Sequence, residues 1–248
     1  MKLETSTIDS SPRATVNAHQ FRSIQTFVRR EGRITASQRQ ALATLLPHYA
    51  PPSGVLDWAA LFGREAPVTL EIGFGNGEAL LAMAQAQPER DFIGIEVYRP
   101  GIGHLLHELA RAELTNVRVI EGDAVAVIRN RVPANSLARI QIFFPDPWPK
   151  KRHHKRRLIQ PGFVELLTDK LQPSGQLHLA TDWEPYALSM HEVLQAAPCL
   201  TNLGDASGFA ERGMRPLTKF EQRGAQRGHQ VRDLLYERSA KRGLRGDP

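Results

Sequence analysis

Five short apolar runs, each closing on an acid or a glycine turn, constrain this chain more than any other feature. They are VTLEIGFG (68–75), DFIGIEV (91–97), VRVIEGDA (117–124), ARIQIFFPDP (138–147) and GQLHLATD (175–182). Helical stretches are predicted between them at residues 77–85, 100–111 and 161–171. Strands alternating with helices at this spacing imply an α/β domain, with a mostly parallel sheet and helices on both faces. Such sheets bind ligands at the carboxyl ends of their strands. The residues at those ends are the glycines 73–77, Glu96, Asp123, Asp146 and Asp182.

The first turn, EIGFGNGEAL (71–80), carries Gly73, Gly75 and Gly77. A dinucleotide fingerprint requires a glycine where this chain has Glu78, and the P-loop pattern is absent. A pyrophosphate at this helix start would be repelled by Glu78 and Glu71. The expected ligand is therefore a nucleoside without phosphates that carries positive charge. S-adenosylmethionine meets that description, with an amino group, a sulfonium, a ribose and an adenine. Glu71 is placed to hold the amino group, directly or through water. Glu96 lies about where nucleotide folds place their ribose-binding acid, and its two oxygens can accept both ribose hydroxyls. Asp123 can accept from the adenine amino group. The bland alternative is a tight glycine turn with helix-capping acids.

The fourth run ends in FFPDPWPKKRHHKRR (143–157), one acid among three prolines followed by six lysines and arginines and two histidines. Pro145 and Pro147 stop the strand and stiffen the loop around Asp146. A stiff loop holds a side chain in one place, as positioned chemistry requires. The arrangement resembles the Asn/Asp-Pro-Pro-aromatic loop of amino-methyltransferases. Guanine N7 has a free lone pair and no proton, so it needs no base. Its methylation makes a cationic purine that a fixed carboxylate favours. Asp146 is thus the candidate catalytic residue, able also to bind the guanine amino or imino edge. Lys150, Lys151, Arg152, Lys155, Arg156 and Arg157 are expected at the rim, where cations suit a phosphate backbone. Trp148 either stacks on a base or plugs the core. His153 and His154 are expected to meet phosphate or water rather than a metal, because no second ligand pair stands at metal spacing.

The chain has 248 residues, 32 Lys+Arg against 26 Asp+Glu, and a net charge of +6, which by itself says little about partners. Cys199 is the only cysteine, which excludes an internal disulfide and a cysteine-built zinc site and fits a reducing cytoplasm. No transmembrane helix is expected, and the amino-terminal stretch has no signal-peptide core. Residues 1–20 read as a flexible arm. A basic, helical extension follows over 21–66. There Thr35 is the predicted cap of a helix with Leu42, Leu45 and Leu46 on its apolar face, broken by residues 50–54.

EIGFGNGE, FIGIEVYRPGI, FFPDPWPKKRHHKRR, ATDWEPYA and RPLTKFEQRGAQRGH together closely resemble the bacterial tRNA (guanine-N7)-methyltransferase family, over residues 20–238. The glycine loop is shared by most S-adenosylmethionine methyltransferases; the proline-basic and TKFE blocks are far more specific. The resemblance implies a Rossmann-like class I methyltransferase with a seven-stranded sheet over 67–238, followed by a tail over 239–248. It also implies methylation of guanosine 46 in the tRNA variable loop. Carried over by motif, Glu71, Glu96, Asp123 and Asp146 take cofactor positions, with Asp146 also the catalytic acid. Lys150, Asp182 and Thr218, Lys219, Phe220 and Glu221 take substrate positions. Residues Arg152, His153, His154, Lys155, Arg156 and Arg157 form the RNA-contact segment. The family holds both monomers and homodimers. Glu221 is further expected to accept from guanine's N1–H and amino edge, and Arg215, Lys219, Arg223 and Arg227 to form a second basic segment. Two other readings remain at this level: a methyltransferase of exocyclic amines, and an RNA-binding module that has kept the shell without the chemistry.

Overall fold

The computed structural model describes residues 32–218, 221–222, 228 and 230–239. The amino-terminal arm, Lys219, Phe220, Arg223 and Arg227 lie outside the described residues. Among the described residues three short helices, α1 (Ala36–Thr44), α2 (Leu46–Tyr49) and α3 (Trp58–Phe62), precede the sheet. The sheet strands are β1 (Val68–Ile72), β2 (Asp91–Glu96), β3 (Val117–Glu121), β4 (Leu137–Phe143), β5 (Leu171–Thr181), β6 (Leu200–Asn202) and β7 (Arg232–Arg238). Helices α4 (Glu78–Ala86), α5 (Arg99–Arg111), α6 (Ala124–Arg131), α7 (Pro161–Lys170) and α8 (Glu184–Gln195) connect them.

The seven strands lie in the order β3-β2-β1-β4-β5-β7-β6. The first five are parallel to their neighbours, and β7 runs antiparallel to both β5 and β6. Strand order reverses between β1 and β4, so the turns leaving those two strands open a crevice at their carboxyl ends. The two turns are the glycine loop and the Asp146 loop. The seven-stranded α/β fold expected from the sequence is thus present. β5 starts four residues earlier than expected, and α7 ends one residue earlier, at Lys170.

Alternation along the buried strands feeds two cores. Val68, Leu70 and Ile72 of β1 pack with Ile93, Ile95, Ile140 and Leu177 on one face. On the other, Leu80 and Met83 of α4 and Ile102, Leu105 and Leu106 of α5 cover Phe92, Val117 and Val119. Each such side chain taken fully from water contributes roughly 1.5–3 kcal/mol. Helix α1 joins this second core through Ala41 and Leu42, and the partly buried Leu45 and Leu46 pack against it. Thr35 caps α1 as expected, in a reciprocal capping box with Gln38. No helix among the described residues is long and apolar enough to cross a membrane.

Candidate functional site

A cavity of about 1110 Å³ opens at the reversal point, between the glycine loop, the end of β2 and the Asp146 loop. Glu71, Gly73, Gly75, Glu96, Asp146 and Asp182 all contribute to its wall. Six residues singled out from the sequence, spread over more than a hundred positions, therefore share one space.

The glycine loop is left-handed at all three glycines, with φ of 74° at Gly73, 57° at Gly75 and 78° at Gly77. The side chain that packing excludes here is one on Gly101, against which Gly75 sets its backbone. The Gly75 backbone N–H donates to Glu96 Oε2 at 2.7 Å, while a Cβ on Gly101 at the start of α5 would fall 2.0 Å from the Gly75 carbonyl oxygen. Loop and helix thus meet backbone to backbone. Glu96 Oε1 accepts from the N–H groups of Val97 (2.6 Å) and Tyr98 (2.9 Å). Three of the roughly four lone-pair sites of its carboxylate are therefore engaged by the protein. Glu96 was expected to accept from both ribose hydroxyls; here its carboxylate pins the glycine loop and leaves one acceptor site open on Oε2.

Glu71 is the opposite case. It is 2% exposed, and its Oε2 is buried without a hydrogen-bond partner. Burial, and secondarily the charge of Glu96, push its carboxyl up to about 8. A buried acceptor without a donor, facing an open cavity, is suited to a cationic ligand group. The amino group of S-adenosylmethionine supplies one, so the residues present fit that cofactor. Asp123 caps α6, with Oδ1 accepting from Ala126 N–H at 3.0 Å, while its neighbours Gly122 and Ala124 line the cavity. Its side chain thus takes the capping role of the bland alternative, and only its two neighbours reach the cavity wall.

The Asp146 loop carries a feature the sequence does not display. Phe144 and Trp148, on either side of Pro145-Asp146-Pro147, have φ of 53° and 43°. For bulky L-residues this left-handed backbone costs of order 1–3 kcal/mol each and persists only where the surroundings impose it. The surroundings here are specific. Phe144 N–H donates to Ala180 O at 2.8 Å, and Arg157 Nε donates to Pro147 O at 3.0 Å. The Arg215 guanidinium lies 5.5 Å from the Phe144 ring centre.

The basic run folds into a 3-10 turn, Lys151–Arg156. Lys150, Lys151, Arg152, Lys155 and Arg156 are exposed there, and His153 and His154 are half-buried. Trp148 neither enters the core nor stands clear. It is half-buried, with the Arg156 guanidinium 5.1 Å from its ring centre and the His153 ring edge-on at 5.8 Å. Arg157, expected at the rim, is 4% exposed and lies over the buried Tyr186 ring at 4.7 Å. It is not a surface cation.

Two expectations for the carboxy-terminal block also change. Arg215, counted as part of a second basic surface, is 3% exposed. It donates to Glu221 (2.5 and 3.2 Å) and to Asp233 (2.7 and 2.8 Å), and Asp233 in turn bonds His178 at 2.8 Å. Glu221, expected to face guanine, is buried with both oxygens on Arg215. Thr218 does reach the cavity, and its Oγ1 accepts from Glu221 N–H at 3.3 Å. Asp233 and His178 were missed because only the fold brings β5 and β7 against residue 215. Among the described residues no group of three His, Cys, Asp or Glu side chains stands together as a metal cage.

Comparison with known proteins agrees with this geometry. A family described as "Putative methyltransferase" matches residues 65–234. The chain is 55% identical over 221 residues to a protein of Alkalilimnicola ehrlichii named tRNA (guanine-N(7)-)-methyltransferase, covering 88% of this chain and 93% of that one. It is 56% identical over 226 residues to the protein of the same name from Methylococcus capsulatus, covering 90% and 98%. Among solved structures, the 16S rRNA methyltransferase KamB superposes with a TM-score of 0.53 at 14% identity, covering 75% of this chain and 95% of that one. At that identity the likeness speaks for the fold.

Proposed function

The chain belongs to the tRNA (guanine-N(7)-)-methyltransferase family and is an S-adenosylmethionine-dependent methyltransferase of guanine N7 in tRNA; we propose that its target is guanosine 46 of the variable loop and that Asp146 is the residue that orients it. The observation that carries the assignment of Asp146 is its place. It is held between two left-handed aromatic residues at the mouth of the cavity that Glu71 and Glu96 line, and the exposed basic turn follows directly.

Within this reading, Glu71 receives the cofactor's amino group, Glu96 holds the glycine loop and one ribose hydroxyl, and Asp123 marks the adenine edge. When bound, S-adenosylmethionine supplies a methyl group on a sulfonium, which guanine N7 can displace with its own lone pair. No proton leaves N7, so the protein needs no general base. Asp146 acts by charge and position, favouring the purine cation that forms. Asp182 and Thr218 border the same space and are assigned to the guanosine. Lys150, Lys151, Arg152, Lys155 and Arg156 are assigned to phosphates, with His153 and His154 beside them. Glu221 reaches guanine only if Arg215 shares it, so its part is to hold the Thr218 segment in place. The protein is assigned to the cytoplasm, where its substrate is made.

The test is methyl transfer from labelled S-adenosylmethionine to an unmodified tRNA transcript, followed by nucleoside analysis. 7-Methylguanosine is expected, and its loss when guanosine 46 is replaced by adenosine fixes the position. A methylated exocyclic amine instead would remove the N7 assignment.

A further inference from the structure

The basic run 150–157 looks uniform in sequence, yet its last member behaves unlike the rest. Arg157 follows the 3-10 turn and turns inward. Its backbone N–H donates to His154 O at 3.0 Å, and its Nε reaches back ten residues to the carbonyl of Pro147, the residue after Asp146. Its guanidinium lies against the Tyr186 ring, whose hydroxyl accepts from Ile159 N–H at 3.2 Å. One side chain thus closes the segment 147–157 into a loop and fastens it to α8 beneath.

Closure matters because the backbone on the Asp146 side is strained. Left-handed angles at Phe144 and Trp148 are costly and persist only where the surroundings hold them, and Asp146 stands between the two. Phe144 is fixed by Ala180 on the sheet side. On the other side, the Pro147 carbonyl is fixed by Arg157.

We infer that Arg157 is a positioning residue for the methyl-transfer site: it locks the Pro145-Asp146-Pro147 turn through the Pro147 carbonyl and does not contact tRNA phosphate. The adjacent Arg156, exposed over Trp148, keeps the RNA-facing role. Charge neutralisation and site geometry are therefore divided between two consecutive arginines. The inference rests on the assignment of Asp146 to the reacting guanine.

The experiment compares Arg157→Gln, Arg157→Lys, Arg156→Gln and Asp146→Ala in the full chain, with tRNA transcript as substrate. Binding of S-adenosylhomocysteine and a cooperative melt establish that each variant is folded, and either Arg157 variant suffices for the comparison. For Arg157 variants, kcat at saturating tRNA should fall roughly tenfold or more, as expected for a displaced reacting group. KM for tRNA and the salt dependence of tRNA binding should stay as in the parent. Arg157→Gln, which keeps a donor but no charge, should be no worse than Arg157→Lys. Arg156→Gln should instead act on binding, flattening the salt dependence by about one phosphate's worth and raising KM for tRNA. The inference is overturned if Arg157→Gln flattens the salt dependence at unchanged kcat, or if neither variant changes kcat while Asp146→Ala abolishes it. If Asp146→Ala itself keeps full kcat, the assignment of Asp146 fails, and with it the reason for locking the turn.

Discussion

Glu71 and Glu96 face one cavity from adjacent strands, and the charge of Glu96 adds to burial in raising the Glu71 carboxyl to about 8. Without cofactor, Glu71 therefore keeps its proton at neutral pH, and a cationic amino group pairs with it only after that proton leaves. Cofactor binding should release up to one proton. Between about pH 6 and 7, where an α-ammonium is still charged, affinity should rise up to about tenfold per pH unit. Calorimetry at pH 7 in two buffers of different ionisation enthalpy should give different heats, and Glu71→Gln should remove the difference. Equal heats for the parent would show that Glu71 is already ionised.

The same raised carboxyl affects folding. A group whose value in the folded state lies above its unfolded value stabilises fully below the unfolded value, and that contribution is lost as pH rises through the folded one. For Glu71 the window runs from about the ordinary glutamate value to about 8. Cofactor-free Glu71→Gln should therefore gain in melting temperature relative to the parent as pH rises across that window. A pH-independent difference would place the charge elsewhere.

Glu96 is expected to matter through the loop it pins as much as through sugar contact. Glu96→Gln removes the charge and places an NH2 where one oxygen now accepts backbone N–H groups. Hydrogen bonds to a charged acceptor contribute about 1.5–3 kcal/mol each. Cofactor affinity should fall at least tenfold, with tRNA affinity nearly unchanged. A titration showing parental affinity would leave Glu96 without a binding role.

Much of this site is legible from the sequence for one reason. Parallel strands at a reversal point carry their chemistry at their carboxyl ends, so Glu96, Asp146 and Asp182 announce themselves as acids after apolar runs. What stays hidden depends on partners far along the chain. Nothing in KKRHHKRR tells Arg157 from Arg156, because Tyr186 decides it. Phe144 and Trp148 do not look like left-handed residues, as a glycine or asparagine would. Arg215 reads as one more surface cation until β7 brings Asp233 beside it. The short β6 and the charged β7 lack the apolar run that marks the central strands, and only the family resemblance implies a seven-stranded sheet.

The exposed members of the basic turn should behave as phosphate ligands. Replacing Lys155 and Arg156 together by alanine should weaken tRNA binding and reduce the slope of log K against log salt by about one for each phosphate no longer neutralised. Cofactor affinity should not change, because neither residue lines the cavity. A slope equal to the parent's would make the turn an ordinary solvated face.

Arg215 offers the strongest test of the carboxy-terminal block. Its side chain is 1% exposed, against 9% for Glu221 and 4% for Asp233, so all three groups are removed from water together. Removing one member of a buried pair leaves the others uncompensated, at a cost of about 3–5 kcal/mol. Arg215→Met should lose stability of that order in denaturant titration, and it should also free the Thr218 segment, raising KM for tRNA. Converting Glu221 and Asp233 to their amides in the same chain should restore most of the stability, because no unpaired charge then remains. It should not restore KM, because the segment is no longer tied to the sheet. If KM recovers along with stability, Arg215 serves the fold alone and the Thr218 segment holds its place without it.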